Sequence, residues 1–449
     1  DCKSGETCVV EVNDFYFSET FDAHASEGWI FVGWKLGSRY FCQNSESVCH
    51  LSNKGLGQYE AIKTIVESDE TFYLEPEFVK RTPLDEALSN VQDETLRACL
   101  QKVSAPRRYA EQIRTVNCYA DSSDFSTVAS LQGIEAFVRI EHLVLGGAAS
   151  LEDLTPLSGL SRLQGLVLRL KSNSFNAAAL SELRLLTELD LYFGGAFSIQ
   201  YSSAPDLSEI GSLKSLRFLT LSTALGRGKI DASSLNGLNN LEYLDLRKIK
   251  DNDISPLAGL RNLKILHLDG NEISDIRALA GLDNLEHLDL HSNKIDDIGP
   301  LAGLNNLESL DLHNNEIDDI GPLAEIDSIP RLYLQNNLIQ DASPLRQHYP
   351  LSLDTSFGLG IDVSYYGAAF GLPDAPFGVS LDISNNPIIN IGDALDGIRA
   401  GAIFLIDVPL MCQEYSRLVE KYDSRAIITK RETDGYASYY IYKIPLRCI

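Results

Sequence analysis

The sequence is short of positive charge: 38 Lys and Arg stand against 63 Asp and Glu, a net charge of -25. A nucleic-acid partner needs a basic stripe for its phosphates, so no nucleic acid is expected among the partners. No apolar run approaches the roughly 18 to 20 residues that span a bilayer, and no transmembrane segment is expected in this chain. It opens on Asp1 without a signal-like segment, as a mature or trimmed ectodomain does. No C-x-x-C occurs, and no histidine accompanies a cysteine at ligand spacing, which disfavours structural zinc. A nucleophile elbow, a Walker loop, a glycine-rich dinucleotide loop and an H-E-x-x-H helix are also missing. The chain therefore reads as a non-enzyme, with no catalytic residue and no cofactor.

What is present is a repeat. Leu241, Leu263, Leu285, Leu307 and Ile329 stand 22 residues apart, and a fixed period of this length marks a solenoid of leucine-rich repeats. In pairs such as Leu244/Leu246, Leu266/Leu268, Leu288/Leu290 and Leu310/Leu312, alternation puts both leucines on the core face of a short strand. Asn271, Asn293, Asn315 and Asn337 follow three residues later, where a side-chain amide can satisfy backbone groups at the turn, and they should stack as a ladder. Ile249 takes that place in the first unit. The half-unit D-I-x-P-L-A-G-L is too short for a full helix, and its proline suits a first helical turn, so 3₁₀ or single-turn helices are expected on the convex side. The Asp296/Asp297 and Asp318/Asp319 pairs recur with the repeat and are read as caps.

The resulting fold class is an α/β solenoid with parallel strands on its concave face, preceded by a small all-β domain and closed by terminal caps. Residues 1–82 carry short alternating runs, CVVEVNDFYF, GWIFVGWKL and FYLEPEFV, broken by Gly, Asn and Ser, the pattern of a small antiparallel domain with a core around Trp29, Phe31 and Trp34. Residues 83–112 have apolar positions at mostly helical spacing and form a helical cap, as an open solenoid end requires. Repeats occupy 113–408, with irregular strand starts near Ile140, Leu163, Leu186 and Leu216, and with strands at VSLDIS and IFLID. A C-terminal cap follows at 409–449, where LMCQEYSRLVEKY reads as a short helix. Insertions rich in Gly and aromatics at 192–209 and 356–378 are candidate recognition loops.

The eight cysteines, absent from the regular repeats, fall as sequence neighbours: Cys2 and Cys8, Cys42 and Cys49, Cys99 and Cys118, Cys412 and Cys448. Eight cysteines allow about 105 pairings, so connectivity stays open. Their even number and their place in regions with small cores fit disulfides and an oxidising compartment. A Cys99 to Cys118 bridge would pin the cap to the first strand, and Cys412 to Cys448 would close the C-terminal cap.

The L-x-x-L-x-L-x-x-N-x-I-x-D-I-x-P-L-A-G-L pattern resembles the bacterial internalin-type repeats. The stretch from Cys2 to Cys49, with Gly28 to Trp34 as G-x-x-F-x-G-W between two cysteine pairs, resembles the divergent B-repeat domains of related surface proteins. An insertion around Lys54 to Glu70 departs from that pattern. The resemblance implies an extracellular, cell-surface or periplasmic protein whose concave face binds a protein, a surface receptor or an envelope protein.

That face can be read from the outward positions of the strands. It comprises Tyr243, Asp245, Arg247, His267, Asp269, His287, Asp289, His291, Asp311, His313, Arg331 and Tyr333, with Tyr192 at its edge. Three readings compete for it. The histidines relieve repulsion between neighbouring carboxylates and need no ligand. Tyr and Arg around a charged centre suit protein hot spots. His291, His313 and Asp269 could hold a zinc-like ion. A carbohydrate ligand on the aromatic loops, or a purely structural spacer in the envelope, are the remaining alternatives.

Overall fold

The computed structural model describes residues 18–34, 49–52, 75–118, 128–146, 151–170, 177–193, 207–223, 230–250, 252–327, 329–346, 380–382, 402–404, 426–433 and 436–441. They divide into two compact units, residues 1–87 with 104–113, and 88–103 with 114–449.

In the first unit, β1 (Ser18–Phe21) pairs antiparallel with β3 (Cys49–Ser52), and β2 (Trp29–Trp34) with β4 (Pro76–Lys80). The β2–β4 register shifts between Phe31 and Gly33. That bulge inserts Val32 and brings Phe31 and Trp34 together, ring centroids 5.4 Å apart, with Phe78 at 5.8 Å from Phe31. Trp34 is buried, but Trp29 is 46% exposed and so does not belong to the core expected of it. It opens the strand opposite Lys80, past the cover of the Phe31–Phe78 pair. The expected strand over 8–17 lies outside the described residues.

The helical stretch comprises two helices, α1 (Leu84–Asn90) and α2 (Glu94–Ser104). Asp93 separates them: its carboxylate accepts the Leu96 N–H at 2.9 Å, capping α2, and the Ala129 N–H at 2.9 Å. Leu96 and Leu100 of α2 are fully buried. The Gly133 turn has φ +97°, and a Cβ there would lie 2.2 Å from the Asn90 carbonyl oxygen, so only glycine fits this close approach.

One sheet runs through the second unit. Its strands are β5 (Thr115–Cys118), β6 (His142–Leu145), β7 (Gly165–Leu170), β8 (Glu188–Phe193), β9 (Phe218–Thr223), β10 (Tyr243–Asp245), β11 (Ile265–His267), β12 (His287–Asp289), β13 (Ser309–Asp311) and β14 (Arg331–Tyr333). They continue into β15 (Ser380–Asp382), β16 (Ala402–Phe404), β17 (Ala426–Thr433) and β18 (Tyr436–Ile441). Neighbours pair in chain order, parallel throughout except for antiparallel β17–β18. Short 3₁₀ helices such as Ser255–Gly259, Gly299–Leu301 and Gly321–Glu325 return the chain between strands. Asp297 and Asp319, the second of each aspartate pair, accept the N–H of Gly299 and Gly321 at 2.8 and 2.7 Å.

The core is the row Leu244, Leu266, Leu288, Leu310 and Leu332, aligned residue for residue and at most 2% exposed. Each such burial contributes roughly 1.5–3 kcal/mol. Behind it stands the asparagine ladder. Asn293 donates to the carbonyls of Leu268 and Leu290 and accepts the Ile273 N–H; Asn315 repeats this with Leu290, Leu312 and Ile295. Ile249 takes no part through its side chain, and Asn271 of the next repeat accepts its N–H at 2.9 Å. A second, exposed ladder was not anticipated: Asn262, Asn284 and Asn306 each donate to a carbonyl of the preceding repeat, Asn239, Arg261 and Asp283.

Cys99 and Cys118 are joined by a disulfide between α2 and β5, and Cys49 is also disulfide-bonded. The remaining expected pairs, and the 410–422 helix, lie outside the described residues. So do the two insertion loops, apart from Tyr192, Phe193 and residues 207–209.

Candidate functional site

The parallel register arranges the outward side chains of the strand face in columns. One runs Phe218, Tyr243, Ile265, His287, Ser309 and Arg331; the next runs Thr220, Asp245, His267, Asp289, Asp311 and Tyr333. Arg247, Asp269, His291 and His313 form a third just past the strand ends, held in step by bonds such as Lys248 N–H to the Asp269 carbonyl and Gly270 N–H to that of His291.

Each repeat in the centre uses an i, i+2 pair. The Asp289 carboxylate meets Nδ1 of His291 at 2.7 Å and accepts its backbone N–H at 3.1 Å; Asp311 does the same for His313 at 2.6 and 3.1 Å. In the first repeat the partner is arginine: Arg247 Nε lies 2.9 and 3.0 Å from the two Asp245 oxygens and Nη2 2.6 Å from one. That forked bond holds the guanidinium's pKa above its usual value, against partial burial. The imidazoles of His291 and His313 stack with centroids 4.3 Å apart and planes 9° from parallel.

Burial separates these carboxylates. Asp245 and Asp269 are only 3% and 4% exposed, so neither offers the open surface expected of it. Both are short side chains between longer ones: Arg247 bonds to Asp245 and comes within 3.9 Å of Asp269, and His291 Nε2 lies 3.6 Å from Asp269 on the other side. Burial, reinforced by the charge of Asp289, pushes the Asp269 carboxyl up. Burial also opposes ionisation of Asp289, but the imidazoles of His267 and His291 outweigh it and hold that carboxyl below the usual range. For His291 burial disfavours the cation, yet the bond to Asp289 and the charges of Asp289, Asp269 and Asp311 raise its pKa.

The structure gathers donors differently from the expected trio of His291, His313 and Asp269. His291 and His313 group with Asp311, while Asp269 groups with His267 and Asp289. Tyr192 stands on β8, two strands from Tyr243, and Arg331 and Tyr333 stand on β14 beyond the histidines. Sequence reasoning passed over Arg169, Asp190 and Phe218. Arg169 pairs with Asp190 through two 3.1 Å bonds and lies over the Tyr192 ring at 5.3 Å. Burial still pushes the Asp190 carboxyl up. Phe218 is 38% exposed, 6.4 Å from the Tyr243 ring and beneath the Arg217 guanidinium at 5.4 Å; Tyr243 in turn meets His267 at 5.7 Å. Phe218 lies two residues past Leu216, as Tyr243 lies two past Leu241, so extending the repeat template upstream finds it.

A family model described as Leucine Rich repeats (2 copies) matches residues 261–303 and again 283–325. Among solved structures, an internalin (inlF) from Listeria monocytogenes aligns with a TM-score of 0.55 at 24% identity, over 79% of this chain and 98% of that one. Internalin C2 (inlC2) from the same organism aligns at 25% identity over 59% and 92%, with a TM-score of 0.35. A leucine-rich repeat protein of Leptospira interrogans aligns at 20% identity over 66% and 74%, with a TM-score of 0.46. No curated protein sequence matches the chain. The chain is a leucine-rich repeat solenoid, similar in structure to a Listeria internalin at low identity.

Proposed function

We propose that this chain is a non-catalytic recognition protein of the cell surface or extracellular space that binds a protein partner through the strand face of its repeats. The observation that carries this reading is the exposed Phe218, continuous with Tyr243 and flanked by Arg217 on a rigid sheet. Among the described residues, Trp29, Phe218 and Leu338 are the large apolar side chains left exposed. Phe218 stands among aromatic and arginine neighbours, the composition of binding hot spots. The Cys99–Cys118 disulfide supports an oxidising compartment, and the likeness to a Listeria internalin supports the repeat face as the place to look.

Immobilised chain is exposed to biotinylated cell-surface proteins and the bound material is quantified. A Phe218→Ala, Tyr243→Ala double variant is expected to lower capture by about thirtyfold, the loss of one hot spot. An Asp296→Ala, Asp318→Ala variant, altered on the turns, retains capture. Equal capture by both variants would reject the strand face as the binding surface.

A further inference from the structure

We propose that His267, Asp269 and Asp289 form a binding site for one divalent cation of the zinc class, set in the middle of the strand face. His267 and Asp269 come from one repeat at i, i+2, and Asp289 from the next, where it lies beside His267 in the register. One donor atom from each lies within 4.8 Å of the other two. His267 Nδ1 and Asp289 Oδ2 are 3.9 Å apart, a gap spanned by an ion bonded to both at about 2.1 Å.

Two of these donors are buried and lack a hydrogen bond: Nδ1 of His267 and Oδ1 of Asp269. Asp269 is 4% exposed, and its nearest cationic groups, Arg247 Nε at 3.9 Å and His291 Nε2 at 3.6 Å, stay beyond hydrogen-bond distance. A buried carboxylate oxygen and a buried ring nitrogen left unpaired are costly, and a cation held by His267, Asp269 and Asp289 would offset that cost. Asp289 is already oriented for the task, since its Oδ1 meets His291 Nδ1 at 2.7 Å while Oδ2 faces His267. This is the outer support that metal-binding carboxylates receive. One imidazole with two carboxylates suits zinc, whereas magnesium and calcium favour oxygen alone, and three protein donors leave a coordination position open.

The neighbouring trio of His291, Asp311 and His313 lacks these properties. His313 Nδ1 is taken by Asp311 at 2.6 Å, and the stacked, near-parallel rings of His291 and His313 leave no point lying in both ring planes, where a shared ion would have to sit.

The full chain, stripped with a chelator, is titrated with zinc chloride near neutral pH in a calorimeter, and its thermal midpoint is followed in parallel. One zinc per chain is expected, with a midpoint that rises with zinc concentration. His267→Gln and Asp289→Asn each weaken binding by about tenfold or more and abolish the rise in midpoint. His267→Gln alters a part-exposed side chain, so the variant is expected to keep its fold, which circular dichroism checks. His313→Ala and Phe218→Ala bind zinc like the parent, and the latter separates this site from the protein-binding reading. Absence of zinc binding in the parent, undiminished binding in His267→Gln, or equal loss in His313→Ala overturns the proposal.

Discussion

Strands β7 to β9 run six residues each, whereas β10 to β14 stop at three, although all share one sheet and one row of core leucines. The difference lies three residues past the second leucine of each strand. β11 to β14 place Asn271, Asn293, Asn315 and Asn337 there, and β10, which has Ile249, is served by Asn271 of the next repeat, which accepts the Ile249 and Lys250 N–H and donates to the Leu246 carbonyl; β7 to β9 carry Lys171, Gly194 and Ala224. Where a buried amide takes the backbone groups of the turn, the strand ends at once and the chain doubles back. Where none stands ready, strand pairing goes on, as Arg169 with Tyr192 and Leu170 with Phe193. A short polar side chain thus sets strand length, because every buried N–H and carbonyl needs a partner.

The comparison breaks most sharply at the buried ladder. Asn293→Ala leaves the buried Ile273 N–H without its partner and takes one of two amide donors from the carbonyls of Leu268 and Leu290, which Asn271 and Asn315 still serve, and is expected to cost about 2–3 kcal/mol in urea unfolding. Asn284→Ala, which removes one bond of the exposed ladder, costs about 0.5–1 kcal/mol in the same assay, since water replaces the lost partner. Similar losses in both would show that burial does not distinguish the two ladders.

The pH dependence of stability comes next. Asp289, whose folded pKa is depressed, contributes stability above its unfolded value of about 4 and loses it as pH falls through the folded value. His291, whose folded pKa is raised, contributes fully below about 6.5 and loses that contribution as pH rises through its folded value. The pair is therefore strongest between those limits. His291→Ala is expected to flatten the decline of the thermal midpoint on the alkaline side, and Asp289→Asn the decline on the acid side. Unchanged profiles would remove the pair from the stability account. The Arg247–Asp245 pair of the preceding repeat, built on a group that stays charged, adds no such alkaline limb.

The smallest effect concerns the residue ahead of the ladder. Lys248, Gly270, Ser292, Asn314 and Asn336 all have φ between 55° and 67°, the left-handed conformation glycine adopts freely. Gly270→Ala is expected to cost about 1–2 kcal/mol, and Ser292→Gly to gain roughly 0.5 kcal/mol once glycine's extra unfolded entropy is subtracted. Calorimetric midpoints check both signs.

Much of this architecture was legible because a 22-residue period constrains each residue by its equivalents above and below. Leu288 is core for the same reason as Leu266, and Asn293 is a ladder residue for the same reason as Asn315. The positive-φ turn was not legible, since Lys, Gly, Ser and Asn share no chemistry that announces it; only the backbone path shows them as equivalent. The bulge at Val32, which puts Phe31 and Trp34 on one face, is likewise invisible to a period-two reading. Phe218 was within reach, lost only because the template was not carried upstream into the irregular repeats.

By itself the sequence determined the repeat, the parallel stack, the core leucines and the set of side chains that share the strand face, since strand alternation and a constant period leave little choice. Tertiary structure alone decided which of those side chains are open and which are sealed. Asp245 and Asp289 hold equivalent places in the repeat, yet Asp245 is 3% exposed while the Asp289 side chain is 24% exposed. The reason is physical: desolvation and hydrogen bonding act over a few ångströms, and those distances are set by how adjacent rungs lean on one another.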